Sequence, residues 1–233
     1  MNNRIQLFRT QEHDCPYLPD KLSTNILVDP NHELCPETYD LLLENGFRRS
    51  ADMVYRPGCS QCQECKSTRI PVNAFTPNRS QRRTWKKVAD DIVVKLEHAG
   101  FKQQHFELYQ RYTRARHKDG NMAHSDEQQY LSFLTSQWSD TLFIELWYQD
   151  ELLAVAVTDR QPDSLSALYT FYSPAHLQLS PGILAILCQI DLARRSGLQW
   201  LYLGYWIKSS EKMAYKTAFQ PIHVFQQGHW QLA

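Results

Sequence analysis

The sequence predicts an α+β protein in which a small N-terminal cysteine-containing domain precedes a C-terminal domain with a mixed sheet flanked by helices. The C-terminal domain is predicted because residues 142–172 alternate with a period of two, as strands do, and a long apolar helix follows. The N-terminal domain is predicted because three closely spaced cysteines lead into a stretch of cations. A soft boundary near Gly100 separates residues 1–98 from residues 99–233.

Short elements fill the predicted N-terminal domain. Residues 1–35 show no clear period, whereas Pro36 suits the first turn of a helix and Gly46 suits its end. Ser80 is a suitable cap for a basic helix. The remaining elements predicted here are a hairpin of residues 47–49 and 53–55, the basic helix to about Val88 and a strand from Ile92 to Glu97.

Longer elements fill the predicted C-terminal domain. Ser125 and Gln128 have the spacing of a helix capping box, and Ser180 with Pro181 opens an apolar helix that Gly197 closes. The predicted order is a helix over residues 102–118, a helix after Ser125, strands over 142–148, 152–159 and 165–172, the apolar helix, a strand over 200–203, a short helix from Ser209 or Ser210 to Lys216, and a strand over 222–225.

That order of elements resembles the fold of the Gcn5-related acyltransferases. The resemblance implies a mixed sheet flanked by helices and a binding site for an acyl donor. Ser180-Pro181-Gly182 is too short, and lacks the glycine-rich run, to be the acetyl-CoA phosphate loop of those enzymes. An acetyl-CoA-dependent N-acetyltransferase therefore stays an alternative that this segment disfavours.

Composition limits the class of protein. The 233 residues, 42% of them hydrophobic, suffice for one large or two small domains, and no window of 18 apolar residues predicts a membrane-spanning helix. The first residues do not form a secretion signal, so we expect a cytoplasmic protein whose six cysteines are thiols or metal ligands. The net charge is zero, but residues 1–118 carry +5 and residues 119–233 carry −5.

Three cysteines and an adjoining basic stretch carry the strongest chemical signal. Cys59, Cys62 and Cys65, with distant Cys15 as a fourth ligand, can hold a structural zinc ion or an iron–sulfur cluster, or form a thiol-rich loop without metal. From Lys66 to Ala89 the chain has seven cations and no carboxylate, which suits a polyanion such as nucleic acid. The candidate phosphate contacts are Arg82, Arg83, Lys86 and Lys87, with a merely solvated basic helix as the alternative.

Several motifs resemble one known family, the arginyl/leucyl-tRNA–protein transferases. They lie at residues 46–50, 55–65, 69–72, 79–83, 165–169, 202–207 and 212–216, so that the match runs from about Cys15 to Phe225. The compact length and the cysteine spacing are similar to the bacterial branch. This resemblance implies transfer of leucine from leucyl-tRNA to an N-terminal Asp or Glu, which marks a protein for degradation; arginyl transfer from arginyl-tRNA is the alternative. Related eukaryotic transferases use N-terminal cysteines for a metal or cluster, which supports the metal hypothesis by resemblance.

A proton acceptor is expected because the attacking α-amine must be neutral. An aminoacyl ester is already activated, so the transfer chemistry requires no cofactor and no covalent intermediate. Asp159, at the end of a predicted strand, is the first candidate, and a turn-initiating role is its alternative. Glu145 is the second candidate, unless strand alternation makes it a solvated residue.

Substrate-binding residues are expected among aromatic and cationic side chains. A leucine pocket and a stacking surface for the terminal adenosine can come from Tyr169, Phe171, Tyr172, Tyr205 and Trp206, each of which can equally be sheet core. Lys212 and Lys216 can meet phosphates or a carboxylate, or be exposed without a role. The acidic N-terminus calls for a guanidinium, and its candidates are Arg48, Arg49, Arg79, Arg82 and Arg83. A non-catalytic module that binds tRNA or such N-termini is a further alternative.

Overall fold

Fourteen strands and five α-helices are present in the computed structural model, which describes residues 4–116 and 125–233. Six short strands come first and form two small sheets in the N-terminal region. In chain order they are Leu7–Arg9 (β1), His13–Asp14 (β2), Leu22–Ser23 (β3), Asn25–Val28 (β4), Arg48–Ser50 (β5) and Met53–Pro57 (β6). Strands β1, β4, β6 and β5 pair in that order, and β2 pairs with β3. The hairpin of β5 and β6 is the one that the sequence predicts.

An eight-stranded mixed sheet takes up most of the remaining chain. Its strands pair in the order β14, β13, β7, β12, β11, β10, β9 and β8. They are Lys66–Pro71 (β7), Ile92–His98 (β8), Asp140–Tyr148 (β9), Glu151–Arg160 (β10), Ser164–Tyr172 (β11), Trp200–Trp206 (β12), His223–Gln226 (β13) and His229–Leu232 (β14). The prediction of a mixed sheet flanked by helices is confirmed.

The helices begin and end close to the predicted positions. They are Pro36–Glu44 (α1), Arg79–Lys86 (α2), Gln103–Arg116 (α3), Glu127–Leu134 (α4) and Pro181–Arg195 (α5), with 3-10 segments at Pro174–Leu179 and Glu211–Ala218. Asn78, not Ser80, caps α2, because its side chain accepts from the Gln81 amide at 3.0 Å. Asp126 and Gln129 form the capping box of α4, one residue later than predicted. Residues 117 and 118 of the predicted helix lie outside the described residues.

Two layers cover the large sheet. Helix α5 packs on one face against apolar residues of β7, β9, β10, β11 and β12. Helices α3 and α4 pack on the opposite face, where Phe143, Val155 and Phe171 are fully buried. Helix α1 and the four-stranded sheet form a further cluster that includes Tyr202 of β12. The N-terminal region is therefore built directly onto the middle of the large sheet.

Strand β7 is an interior strand of the large sheet, third in its order, although the sequence does not predict it. Its buried side chains include Ser67, Thr68 and Arg69, so the apolar alternation that signals a strand is absent. The guanidinium carbon of Arg69 lies 3.6 Å from the ring centroid of Trp200 and 4.3 Å from that of Trp230, which accommodates its charge. Residues 1–35, predicted to be irregular, contain β1 to β4, each too short to show a period.

The division at residue 98 stays a prediction. Strands β7 and β8 precede this boundary and nevertheless belong to the sheet formed by the C-terminal strands. A division there would leave strands of one sheet in both parts. None of the helices in the described part of the chain combines the length and the apolar character that crossing a bilayer requires.

Candidate functional site

Strands β11 and β12 diverge in the centre of the large sheet and open a narrow crevice. They are parallel and pair only at Ser164–Trp200, Leu165–Leu201 and Ser166–Tyr202. Beyond those pairs the two strands separate, and side chains from the N-terminal region enter between them. The crevice is lined by Tyr39, Leu43, Phe47, Arg48, Ser67, Ser166, Ala167, Leu168, Tyr202 and Gly204.

Arg48 of β5 points into this crevice. Its Nη2 donates to the Leu168 carbonyl of β11 at 3.4 Å, a long bond. On the other side lies Gly204 of β12, whose φ is +74° and whose missing Cβ would stand 2.5 Å from Arg48 Nη1. Glycine is therefore favoured here by the backbone conformation, and a Cβ would displace the Arg48 guanidinium from its position. Among residues 4–116 and 125–233, no carboxylate forms an ion pair with Arg48, so its charge in the crevice is uncompensated.

Arg49 has the opposite environment because successive side chains of a strand point to opposite faces. Its Nη2 lies 2.6 Å from Asp159 Oδ1 and its Nε lies 2.6 Å from Asp159 Oδ2, with both side chains fully buried. The Thr141 hydroxyl donates to Asp159 at 2.8 Å, and Arg49 also donates to the Leu134 carbonyl at 3.0 Å. This ion pair lies outside the crevice. A substrate role of Arg49 and a proton-acceptor role of Asp159 stay predictions, and the geometry favours a structural role for both.

Glu145 is neither solvated nor near the crevice. It is 2% exposed and accepts hydrogen bonds from Lys102, His105 and Trp147, each at 2.7 Å. Burial raises the pKa of this carboxyl, but the three hydrogen bonds outweigh that and lower it overall. The carboxylate joins α3 to β9, and its predicted role as a second proton acceptor has no support from this location.

Lys216 is a buried cation beside the crevice. It lies in the 3-10 segment Glu211–Ala218, is 6% exposed, and its Nζ donates to the Tyr205 carbonyl of β12. Burial, and to a smaller extent the charge of Arg48, lowers the pKa of Lys216 to about 7. Lys212 of the same segment is exposed. The two lysines, predicted as a pair on one helical face, therefore have different surroundings.

The five predicted aromatic residues separate into core and crevice positions. Phe171 is fully buried under α3, and Tyr169 packs against Tyr112 and Phe133 of the same face. Tyr172 accepts from Arg116 Nη2 at 2.6 Å. Tyr205 lies beside Arg48, with its hydroxyl 3.0 Å from the Tyr55 carbonyl and 3.2 Å from that of Gly46. Trp206 is half-buried and follows Tyr205. Phe171 is therefore a core residue, because its strand face meets α3.

Helix α2 brings the basic stretch next to this site. The Gln81 side-chain amide donates to the Ala218 carbonyl at 3.0 Å, and that of Asn78 does so at 3.2 Å, two residues beyond Lys216. At the other end of the helix, Lys87 donates to the Gln178 carbonyl at 3.1 Å. All the predicted cations of this helix are exposed, namely Arg79, Arg82, Arg83, Lys86 and Lys87.

The cysteine cluster does not form a metal site in the described part of the chain. Cys15, Cys59, Cys62 and Cys65 are all half-buried. Burial first, and then the other three thiols, raise the pKa of Cys65 to about 12, so the cluster members are neighbours. Yet no three Cys, His, Asp or Glu side chains among the described residues converge as a metal requires, and Cys59 faces Ser23 and the Thr24 carbonyl. Thiols suit zinc or an iron–sulfur cluster chemically, but this arrangement does not support either.

Gly204 is a site residue that the sequence analysis did not single out. A glycine inside a strand indicates close approach of another group, which here is the Arg48 guanidinium. Its position within the motif of residues 202–207 was the available signal.

A mixed sheet that is flanked by helices and whose central parallel strands diverge is typical of acyltransferase-like folds. A solved structure of the C-terminal domain of a putative lysylphosphatidylglycerol synthetase from Agrobacterium fabrum is similar with a TM-score of 0.51 at 12% identity. The match covers 71% of this chain and 61% of the Agrobacterium domain. The L-PGS structure from Bacillus licheniformis is similar with a TM-score of 0.50 at 12% identity. That match covers 83% of this chain and 66% of the Bacillus chain. These similarities concern the fold alone.

The family follows from two model matches. Residues 13–83 match "Arginine-tRNA-protein transferase, N terminus" and residues 104–226 match "Arginine-tRNA-protein transferase, C terminus". The chain belongs to this family of transferases, and the resemblance found in the sequence is confirmed. Relatives named aspartate/glutamate leucyltransferase are 47% identical in Hahella chejuensis and 43% identical in Alcanivorax borkumensis, each over 97% of this chain and over 96% and 93% of the relative.

Proposed function

We propose that this protein transfers leucine from leucyl-tRNA to the N-terminal Asp or Glu of proteins in the cytoplasm, creating a destabilising N-terminus for degradation. The names of relatives that match 97% of the chain support leucine as the donated residue and Asp and Glu as acceptors. The family supports tRNA as the carrier of the acyl group.

The observation that carries the proposal is the uncompensated guanidinium of Arg48. A half-buried cation without a counter-charge is a binding site for an anion, and a guanidinium holds a carboxylate through two parallel hydrogen bonds. The other candidates are less suitable because Asp159 occupies Arg49, whereas Arg79, Arg82 and Arg83 lie on an exposed helix. Arg48 therefore reads the acidic side chain of the acceptor.

The remaining groups fit the two substrates. The aminoacyl ester needs a position beside the acceptor amine, and Tyr205, Trp206 and Tyr172 border that position at the divergence of β11 and β12. The tRNA approaches along α2, whose exposed cations meet its phosphates. Transfer then depends chiefly on orientation of the two reactants, since the ester is already activated.

Replacement of Arg48 should abolish selection of acidic acceptors. With leucyl-tRNA, we expect the wild-type protein to modify peptides starting with Asp or Glu and to modify those starting with Asn or Ala little. Arg48→Met should lower kcat/KM for Asp peptides by about 10²-fold, as loss of a charged hydrogen-bonding partner costs about 1.5–3 kcal/mol. The activity toward Asn peptides should change far less. Product masses from each peptide measure both rates.

One control variant and two contrary outcomes make this test specific. Lys208→Met removes an exposed cation of the same half of the chain and should leave the peptide preference unchanged. A wild-type protein that modifies Asn and Asp peptides equally would contradict acid recognition. Transfer from arginyl-tRNA but not from leucyl-tRNA would replace leucine as the donated residue.

Neutralising the exposed face of α2 should weaken tRNA binding. Changing Arg82, Arg83, Lys86 and Lys87 to Ala should reduce affinity for leucyl-tRNA and flatten its dependence on salt, by about 0.7–0.9 in the log–log slope for each phosphate that the variant no longer neutralises. Filter binding at salt concentrations from about 50 to about 300 mM measures the slope. A Lys21→Ala/Lys208→Ala variant, which removes two exposed cations elsewhere, is the control. An unchanged slope in the α2 variant would assign this face to solvent alone.

A further inference from the structure

Lys216 is a buried lysine to which the described residues offer no charge partner. It is 6% exposed, and its Nζ donates to the backbone carbonyl of Tyr205. No carboxylate in the described ranges forms an ion pair with it. Gly204 precedes Tyr205 in β12, and the Arg48 guanidinium lies against Gly204. A buried lysine with a carbonyl partner and a cation nearby is costly in its charged form.

The surroundings lower the pKa of this amine to about 7, so that its neutral form is well populated at neutral pH. Arg48 of β5 is the charged group that acts on it, the backbone carbonyl of Tyr205 of β12 accepts its hydrogen bond, and Tyr215 precedes it in the chain. Burial raises the pKa of both phenols, so they carry no charge near pH 7, whereas Arg48 does. Because the neutral amine keeps a lone pair while one N–H bonds the Tyr205 carbonyl, it can accept a proton.

The transfer reaction needs such a group. The α-amine of an acceptor peptide is largely protonated at neutral pH and cannot attack an ester until it loses a proton. Asp159 and Glu145 do not line the crevice, and their carboxylates are bound to Arg49 in the first case and to Lys102, His105 and Trp147 in the second. In an aspartyl N-terminus two carbons separate the α-nitrogen from the side-chain carboxylate. A carboxylate on Arg48 therefore brings the ammonium close to the neighbouring residues of β12.

We propose that Lys216 accepts the proton of the acceptor's N-terminal ammonium, an inference that rests on the proposed function. Its neutral Nζ takes one proton, and the freed α-nitrogen attacks the carbonyl carbon of the leucyl ester. As the bond between that carbon and the ribose oxygen breaks, a second proton of the attacking nitrogen passes to the ribose oxygen. The products are the new amide, the tRNA hydroxyl and a charged Lys216, which returns its proton to solvent.

Single-turnover transfer tests the assignment with matched variants. Lys216→Met and Lys216→Arg should each slow transfer of leucine to an Asp peptide by about 10²-fold at pH 7, because neither side chain accepts a proton. Binding of leucyl-tRNA should be unchanged in both. The wild-type rate should rise through the range in which Lys216 deprotonates, and the variants should lose that step of the pH profile. Lys208→Met is the control, and a Lys216→Arg rate equal to that of the wild type would overturn the proposal.

An acceptor that needs no base separates proton transfer from structure. A peptide beginning with the α-hydrazino analogue of aspartate offers a less basic terminal nitrogen that is already neutral at pH 7. Lys216→Met should transfer leucine to it within about threefold of the wild-type rate, since only the proton-accepting step is missing. An equal defect with both acceptors would assign Lys216 to positioning instead and overturn the base role.

A direct titration does not depend on transfer at all. In protein labelled with ¹³C at lysine Cε, the signal that disappears in Lys216→Arg should titrate near pH 7. A Lys216 signal that stays charged up to pH 10 would overturn the proposal even if leucine transfer is observed. If Lys216 titrates near pH 7 but the protein transfers no leucine, the proposed function is contradicted, whereas the lowered pKa of the buried amine is confirmed.

Discussion

Arg49→Met is expected to destabilise the protein by about 3–5 kcal/mol, because it leaves the buried carboxylate of Asp159 without its counter-charge. The pair is fully buried, and two bonds of 2.6 Å join its members across 110 residues of sequence. Only Thr141 would remain as a side-chain partner of Asp159. Urea unfolding at pH 7 measures the loss.

Two further variants test whether the charge pair is the cause. Arg49→Met/Asp159→Leu removes both charges together and should lose less stability than Arg49→Met alone. Arg195→Met breaks the exposed pair with Asp191 and should cost below about 1 kcal/mol. If Arg49→Met and Arg195→Met have similar effects, the buried pair does not hold the N-terminal hairpin on the large sheet.

The same pair bears on the predicted proton-acceptor role of Asp159. Asp159→Asn should lower stability while changing the single-turnover rate of the folded molecules little, because the carboxylate lies outside the crevice and Arg49 holds both its oxygens. A rate loss of about 10²-fold in fully folded Asp159→Asn would restore Asp159 as the base.

Lys216→Met is expected to raise the stability of the protein at neutral pH. The pKa of Lys216 is about 7 in the folded chain and has its ordinary value of 10.5 in the unfolded chain. Between those values the unfolded chain binds one more proton than the folded chain, so this residue makes stability increase as pH rises from about 7 to about 10.5. Below about 7 the full cost of the buried lysine is present, on the order of a few kcal/mol.

Thermal unfolding of wild type and variant at several pH values between about 6 and 10 measures this contribution. The difference between the two should be largest at the acid end and shrink as pH rises, because other titrating groups are common to both proteins. Lys208→Met, which changes an exposed lysine, should show no such trend. A difference that does not depend on pH would contradict the depressed pKa. A stabilising change that removes activity would identify Lys216 as a residue kept for function.

The sequence by itself determined the family, the long elements and the composition of the site. Strands β9 to β11 and helix α5 were predictable because their local hydrophobic patterns match what the sheet and its covering helix bury. The motif at residues 202–207 was recognisable because a motif, too, is a local feature of the sequence. The candidate residues also included Arg48 and Lys216, without an indication that they differ from Arg49 and Lys212.

The tertiary structure alone decided which of those neighbours faces the crevice. Arg48 and Arg49 are adjacent in sequence, yet strand alternation sends one beside Leu168 and the other to Asp159, contacts that span 120 and 110 residues. The polar strand β7 lies inside the sheet because β12 and β13 pair with it on its two sides, which no local pattern could show. Lys216 is buried because its segment lies against β12. Charge and burial at this site depend on contacts between distant parts of the chain, and a local pattern carries no information about them.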